Sequence, residues 1–108
     1  MLIYEITPEA LFHAMGEQTG LLLLDVREPW ETQAAPFPGA VAMPMGEVPS
    51  RAFTELDPDE PVVVVCHHGV RSLHVVQWLR EQGFERAQSL AGGMDAWALR
   101  IDPRVGRY

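Results

Sequence analysis

The sequence contains a single cysteine, Cys66, and this scarcity limits its chemistry. One cysteine cannot form a disulfide within the chain, and it cannot supply a metal site that needs several thiolates. It also leaves no second thiol in the chain to resolve an intermediate formed on Cys66. Any group that this sulfur carries must therefore leave to an acceptor outside the chain.

The sequence also lacks a long apolar run and an excess of positive charge. The run Leu21–Leu24 is too short to span a membrane, and nothing at Met1 resembles a signal peptide. The formal net charge of −7 argues against binding to nucleic acid or to an anionic membrane surface. We therefore expect a cytoplasmic protein whose acidic balance serves mainly solubility, with neither nucleic acid nor membrane among its partners.

The segment Pro61–Gln82 carries the clearest structural pattern. Four consecutive valines, Val62–Val65, predict a strand that is buried on both faces, as in a parallel sheet with helices on each side. After a short loop, apolar residues follow helical spacing, and Gly83 is placed to end the helix. The helical pattern is formed by Leu73, Val75, Val76, Trp78, Leu79 and Arg80.

Strand and helix patterns alternate along the rest of the chain, which is long enough for one domain. The predicted strands cover residues 2–5, 21–26, 40–43, 62–65 and 84–90. The predicted helices begin at Thr7, Glu28, Gly46, near Val70 and at Gly92, with a turn over 16–20 and a break at Pro49. The first helix should bury Ala10, Leu11, Ala14 and Met15. The alternation predicts an α/β domain over residues 1–100 with a parallel sheet, followed by a C-terminal tail over 101–108 that is either packed on the body or frayed.

Cys66 directly follows the valine strand and precedes the helix. This is the carboxyl end of a central strand, where open α/β sheets place their ligand sites. The free N–H groups and the positive dipole end of the helix favour an anion there, and so favour the thiolate. The loop continues as His67, His68, Gly69, Val70, Arg71 and Ser72. Gly69 allows the backbone to curl so that successive amides point at the sulfur, which predicts a nest for a negatively charged atom.

Four motifs together resemble the single-domain rhodaneses, a family of thiosulfate sulfurtransferases. They are the CHHGVRS loop at Cys66–Ser72, DVREPWE at Asp25–Glu31, the Pro-Gly-Ala at Pro38–Ala40 and LAGGMDAW at Leu90–Trp97. The resemblance implies a three-layer sandwich in which a central parallel five-stranded sheet has helices on both faces. One departure is Pro36-Phe37, where the family usually has a histidine and an aliphatic residue; it affects a local contact near the loop.

The resemblance also implies a function. The chain would move sulfane sulfur from a donor such as thiosulfate to a thiophilic acceptor, which is cyanide, a thiol or a partner protein. Cys66 would carry the sulfur as a persulfide, and the amides from His67 through Ser72 would hold its outer sulfur. Arg71 would orient an anionic donor by two hydrogen bonds. The intermediate is covalent, so no metal and no organic cofactor is implied.

The remaining polar residues near the site are expected to support it. Asp25, Arg27 and Glu31 are open to a catalytic role, but a salt-bridged brace at the end of the second strand is the commoner use, and the resemblance implies the same. The Gly92-Gly93 pair is expected to pack against the active loop rather than to bind phosphate.

The histidines are less constrained by the pattern. At most one of His67 and His68 should face the sulfur, and an electrostatic or acceptor-docking role is favoured over proton transfer. His13 and His74 are expected at or near the surface.

Three alternatives stay open. A phosphatase or arsenate reductase also places a cysteine and an arginine around an anion, but only four residues separate Cys66 from Arg71, and such a small ring suits one sulfur better than a tetrahedral oxyanion. A non-catalytic interaction module would not need the cysteine, and fold alone does not decide function. A sulfur carrier would use the same cysteine with a protein donor and acceptor.

Overall fold

The computed structural model describes residues 3–17 and 20–108 and shows one five-stranded parallel sheet. The strands are β1 (Glu5–Ile6), β2 (Leu22–Asp25), β3 (Val41–Ala42), β4 (Val62–Val65) and β5 (Ala87–Leu90). Their spatial order is β1-β5-β4-β2-β3, and every neighbouring pair is parallel. The valine strand β4 is therefore central, which confirms the predicted α/β sheet.

Helices cover both faces of this sheet. They are α1 (Pro8–Glu17), α2 (Pro29–Ala34), α3 (Val48–Glu55), α4 (Val70–Glu81) and α5 (Gly93–Arg100), with short 3₁₀ helices at Met45–Glu47 and Pro103–Val105. Because side chains alternate along a strand, β4 contributes to two cores. Val62 and Val64 belong to the core formed with α3 and α4, and Val63 and Val65 to the core formed with α1 and α5. All four valines are buried, so the unalternating run is explained by helices on each side.

Two helix ends match their sequence patterns. Thr7 Oγ1 accepts a hydrogen bond from the Ala10 N–H at 3.1 Å, which caps α1. After α4, the N–H groups of Gly83 and Phe84 donate to the carbonyls of Arg80 and Leu79, and Gly83 has a φ of 100°. Gly83 therefore ends the helix in a left-handed turn, as predicted.

Several predicted boundaries are wrong. The first strand begins at Glu5 and pairs with β5 through Ile6, whereas Ile3 and Tyr4 lie before it. Leu2 and the middle of the turn predicted at 16–20 lie outside the described residues. Pro49 does not interrupt a helix, because it sits in the first turn of α3, where no N–H is needed. The strand predicted from Phe84 begins only at Ala87, since Phe84 closes the end of α4.

The predicted stripe of α1 is also too wide. Leu11 is fully buried and Ala14 is half-buried, but Ala10 and Met15 are exposed. The helix packs mainly against α5, and Leu11 is its residue in the buried core, so only a narrow part of its surface meets that core.

The last residues of the sequence pack on the body. Val105 is buried in the core with α1 and α5, and Phe37, at the departure from the family pattern, lies in the same core with its ring centroid 5.2 Å from that of Trp97. The unusual residue is thus accommodated by aromatic packing. No helix within residues 3–17 and 20–108 is long and apolar enough to cross a membrane.

Candidate active site

The carboxyl ends of β2 and β4 bring the predicted site residues to one edge of the sheet. Asp25 at the end of β2 is paired in register with Val65, the residue before Cys66. Arg27 and Cys66 therefore follow neighbouring strands at the same edge. Cys66 is only 1% exposed, and the loop after it leads into α4.

The sulfur of Cys66 is surrounded by hydrogen-bonding groups. The N–H of Gly69 donates to Sγ at 3.1 Å, and the N–H of Ser72 donates at 3.3 Å. The Ser72 hydroxyl oxygen accepts from the thiol at 3.3 Å and lies 2.7 Å from the Ser89 hydroxyl on β5. A hydroxyl can rotate to donate when the sulfur is a thiolate. Two of the loop amides thus point at the sulfur, and the loop is built to favour an anionic atom there.

Close backbone packing fixes this loop. Gly69 has a φ of 97°, and a Cβ there would lie 3.3 Å from the Gly92 nitrogen. A Cβ on Gly93 would overlap the carbonyl oxygens of Cys66 and His67. Those two oxygens accept hydrogen bonds from the N–H groups of Met94 at 2.8 Å and Asp95 at 3.1 Å. The glycine pair therefore packs against the active loop, as predicted.

Arg71 is held by a carboxylate. Its Nη1 and Nη2 donate to Glu31 Oε1 at 2.6 Å and Oε2 at 2.8 Å. The hydrogen bonds from Arg71 lower the pKa of Glu31 to about 2, although burial opposes the shift. The same pairing raises the pKa of Arg71. The sequence placed Glu31 with Asp25 and Arg27, but the structure pairs it with Arg71, so the guanidinium predicted to orient a donor already has an anionic partner.

Arg27 and Asp25 form a buried ion pair beneath the site. Arg27 is 0% exposed, and its Nη2 lies 2.7 Å from Asp25 Oδ2 and 2.8 Å from the Ala35 carbonyl. Burial by itself would lower the pKa of Arg27, but the hydrogen bonds with Asp25 and Tyr108 raise it. The geometry is that of a brace between the end of β2 and the end of α2.

Tyr108 is a site residue that the sequence reasoning missed. Its hydroxyl donates to Glu31 Oε2 at 2.7 Å and accepts from Arg27 Nη1 at 3.3 Å. Its ring lies 4.3 Å from the His67 ring and 5.7 Å from the Trp30 ring, measured between centroids. Burial raises the pKa of Tyr108 to about 12. The only signal in the sequence was an aromatic residue at the end of a segment without helical or strand periodicity.

The two loop histidines differ in exposure. The ring of His67 lies between those of Tyr108 and His68, and its Nδ1 is buried with no hydrogen-bond partner among the described residues. Burial, followed by the neighbouring His68, lowers the pKa of His67, which favours its neutral form. His68 is exposed, with Nε2 3.9 Å from Asp95 Oδ2. His13 and His74 are both exposed.

The side chains of His67, His68 and Asp95 also bring three atoms of metal-ligand type within 4.8 Å of one another. They are the residues that would hold a cation at this edge. However, Arg107 Nε donates to Asp95 Oδ1 at 2.8 Å, and this pairing lowers the pKa of the carboxyl group. A metal ion would have to compete with that guanidinium.

Comparison with known proteins agrees with the geometry of the sheet and the loop. The model of the rhodanese-like domain matches residues 7–100. The chain is 38% identical over 104 residues to the putative sulfurtransferase YtwF of Bacillus subtilis, covering 96% of this chain and 99% of that protein. It is 38% identical over 93 residues to the thiosulfate sulfurtransferase GlpE of Actinobacillus pleuropneumoniae, covering 86% of this chain and 84% of that one.

A solved structure shows the same fold. The crystal structure of a rhodanese-like domain protein from Staphylococcus aureus superimposes with a TM-score of 0.81 at 33% identity, covering 88% of this chain and 91% of that one. The buried cysteine at the end of the central parallel strand, the loop amides on its sulfur and these similarities lead to one assignment. The chain belongs to the rhodanese-like domain family.

Proposed function

We propose that the protein is a sulfurtransferase that carries sulfane sulfur as a persulfide on Cys66. The donor is an anionic compound such as thiosulfate, and the acceptor is cyanide, a thiol or a partner protein. The observation that carries the proposal is the pair of N–H groups, from Gly69 and Ser72, that point at the buried Cys66 sulfur. Relatives that share this domain over most of their length are named sulfurtransferases, which supports the same class of reaction.

The transfer occurs in two displacement steps. The Cys66 thiolate attacks the outer sulfur of thiosulfate, the donor S–S bond breaks, and sulfite leaves with the electron pair. The resulting Cys66 persulfide is attacked at its terminal sulfur by cyanide, which forms thiocyanate and returns the thiolate. A thiol acceptor would take the same sulfur and leave as its own persulfide. The sulfur moves without net oxidation or reduction, so the proposal includes no metal and no organic cofactor.

In this proposal the residues of the loop after Cys66 have different roles. The N–H groups of Gly69 and Ser72 stabilise negative charge on the sulfur before transfer and after the acceptor has left. The Ser72 hydroxyl adds a rotatable donor within 3.3 Å. His67 and His68 directly follow Cys66, and the partly buried His67 next to the exposed His68 fits a role in docking the acceptor. Val70 is 65% exposed at the same loop and offers an apolar contact to an acceptor protein.

The geometry of the site supports a phosphatase or a pure interaction module less well than a sulfurtransferase. A phosphatase needs an arginine whose guanidinium binds the substrate oxyanion, whereas both terminal nitrogens of Arg71 are bound by Glu31. A pure interaction module has no need of amide donors aimed at a buried sulfur. A sulfur carrier uses the same chemistry with a protein donor, and it differs from the proposal only in its partners.

Intact-protein mass spectrometry tests the proposal. After incubation with thiosulfate the wild type should gain the mass of one sulfur atom, and cyanide should remove it as thiocyanate appears. Cys66→Ser should gain nothing while it keeps its fold, because serine is nearly isosteric but a much weaker nucleophile. If thiosulfate, an organic thiosulfonate and a persulfide donor all leave the wild-type mass unchanged, the sulfurtransferase proposal is refuted and the interaction module takes its place.

A further inference from the structure

Tyr108 reaches the site from outside the family match, which covers residues 7–100. The segment before it is held on the body by the buried Val105 and by the 2.8 Å hydrogen bond from Arg107 to Asp95. The side chain of Tyr108 is therefore delivered to the site by a segment that lies beyond the residues matched by the family model. Its function is not covered by what the family match establishes.

The Tyr108 hydroxyl connects two ion pairs. On one side it accepts from Arg27, which is bound to Asp25, and on the other it donates to Glu31, which is bound to Arg71. The hydrogen bonds therefore run continuously from Asp25, at the end of β2, to Arg71 in the loop that follows Cys66. Their distances are 2.7, 3.3, 2.7 and 2.8 Å.

Glu31 is thereby fixed at both oxygens. Oε1 accepts from Arg71 and from the Glu28 N–H at 3.0 Å, and Oε2 accepts from Arg71 and from Tyr108. A carboxylate with this set of donors has little freedom to turn away from Arg71. Without the tyrosine hydroxyl, Oε2 would lose one of the two donors that hold it.

The pairing of arginines with carboxylates also affects how the site interacts with a negatively charged donor. The chain contains no lysine, so its basic side chains of fixed charge are arginines. Three of them lie near the loop, and each faces a carboxylate: Arg71 with Glu31, Arg27 with Asp25, and Arg107 with Asp95. The positive charge of each of these arginines is already offset by a carboxylate, so it attracts a donor with two negative charges less strongly.

We propose that Tyr108 is a positioning residue that sets the donor preference of the site, because its hydroxyl holds Glu31 on Arg71 and so withholds the charge of Arg71 from doubly charged donors. This inference rests on the proposed sulfurtransferase function. It assigns to the native site a preference for donors of lower charge, such as a thiosulfonate or an organic persulfide, over thiosulfate. The transfer step is unchanged: the thiolate takes the outer sulfur, and a sulfinate or a thiolate leaves with the electron pair.

The test compares two donors in Tyr108→Phe, which removes the hydroxyl and keeps the ring. Thiosulfate carries two negative charges and an aromatic thiosulfonate carries one. In the variant, the KM for thiosulfate should fall about threefold, since Glu31 is held less firmly on Arg71 and competes less with the donor oxygens, while the KM for the thiosulfonate stays within experimental error. The change should lie in KM rather than in kcat. If the KM values of both donors are unchanged or move together, the proposal is overturned.

Two further measurements keep the result interpretable. Tyr4→Phe is the matched control, because Tyr4 is the other tyrosine of the chain and packs over Arg80 instead; its donor preference should equal that of the wild type. The carboxyl resonance of Glu31, followed by NMR, should titrate at higher pH in Tyr108→Phe than in the wild type, and an unchanged midpoint would contradict the role of the hydroxyl. If the wild type uses neither of these donors nor a persulfide, the proposed function itself fails; if it uses both and Tyr108→Phe behaves like the wild type, this inference alone fails.

Discussion

Ser72 contacts Cys66 twice: its backbone N–H donates to the sulfur at 3.3 Å, and its hydroxyl oxygen lies 3.3 Å from the same atom. The hydroxyl is buried and shares a 2.7 Å hydrogen bond with Ser89, which lies on the neighbouring strand β5. Ser72 thus joins the Cys66 sulfur to the sheet as well as to helix α4.

Ser72→Ala should separate these two contacts, because it keeps the amide and removes the hydroxyl. We expect the rate of sulfur transfer to fall about tenfold, as one donor to the anionic sulfur is lost, and the free energy of unfolding to fall by about 1–2 kcal/mol because Ser89 loses its buried partner. Steady-state kinetics and urea denaturation measure the two effects. Ser50→Ala removes an exposed serine hydroxyl that bonds to the Glu47 carbonyl and should change neither. A variant with full activity would show that the amides alone support the sulfur.

Glu31 should make the stability of the protein depend on acid pH. Its pKa is about 2 in the folded protein and 4.5 ordinarily, so the stability it contributes is present above pH 4.5 and is lost as the pH falls from 4.5 toward 2. The shift corresponds to roughly 3 kcal/mol. In Glu31→Gln, urea denaturation at a series of pH values should show lower stability at pH 7 and a flatter dependence below pH 4.5. Equal slopes for the two proteins in that window would contradict the assignment.

Gly93 should tolerate no side chain. Its φ is 63°, and a Cβ would overlap the carbonyl oxygens of Cys66 and His67, which are themselves hydrogen-bonded to α5. Gly93→Ala should lower the free energy of unfolding by about 2–4 kcal/mol and should also slow sulfur transfer, because the loop must move. Gly16→Ala is the matched control: Gly16 is helical with open space around it, so alanine should stabilise by about 0.5–1 kcal/mol. If Gly93→Ala is as stable as the wild type, the loop after Cys66 can move enough to accommodate a Cβ, and this prediction is wrong.

His67 should have a pKa lower than that of a free histidine, since burial and then His68 lower it. The unfolded chain binds this proton more readily, so His67 reduces stability as the pH falls below about 6.5. NMR titration of the imidazole measures the midpoint directly. Tyr108→Ala uncovers the ring and should move the midpoint upward, and an unchanged midpoint would show that the tyrosine is not a source of the burial.

The sequence pattern correctly predicted those features of the fold that depend on residues close together in the chain. The four valines located the central strand, and the position of Cys66 after them placed the sulfur at the carboxyl edge of the sheet. The glycine pair was correctly assigned to packing, since Gly93 meets the loop backbone. These results follow from rules about neighbours in the chain, such as strand alternation and helix ends.

Partners that are distant in sequence could not be predicted in this way. Glu31 and Arg71 are 40 residues apart, and Tyr108 is 77 residues from Glu31. Ser89 had no motif of its own and matters only because β5 lies beside β4. Such pairings depend on how strands and helices are placed in space, and the short end segment that carries Tyr108 has no periodicity to reveal where it packs.

The hydrogen bonds from Met94 and Asp95 to the carbonyls of Cys66 and His67 tie helix α5 to the residue that carries the buried sulfur. Opening of α5 must break these bonds, so the helix and the loop form one cooperative unit in local unfolding. Deuterium uptake at the amides of Met94 and Asp95 therefore reports on the integrity of the sulfur site without any substrate. A truncation that removes α5 would expose Cys66 to oxidation as well as remove a helix.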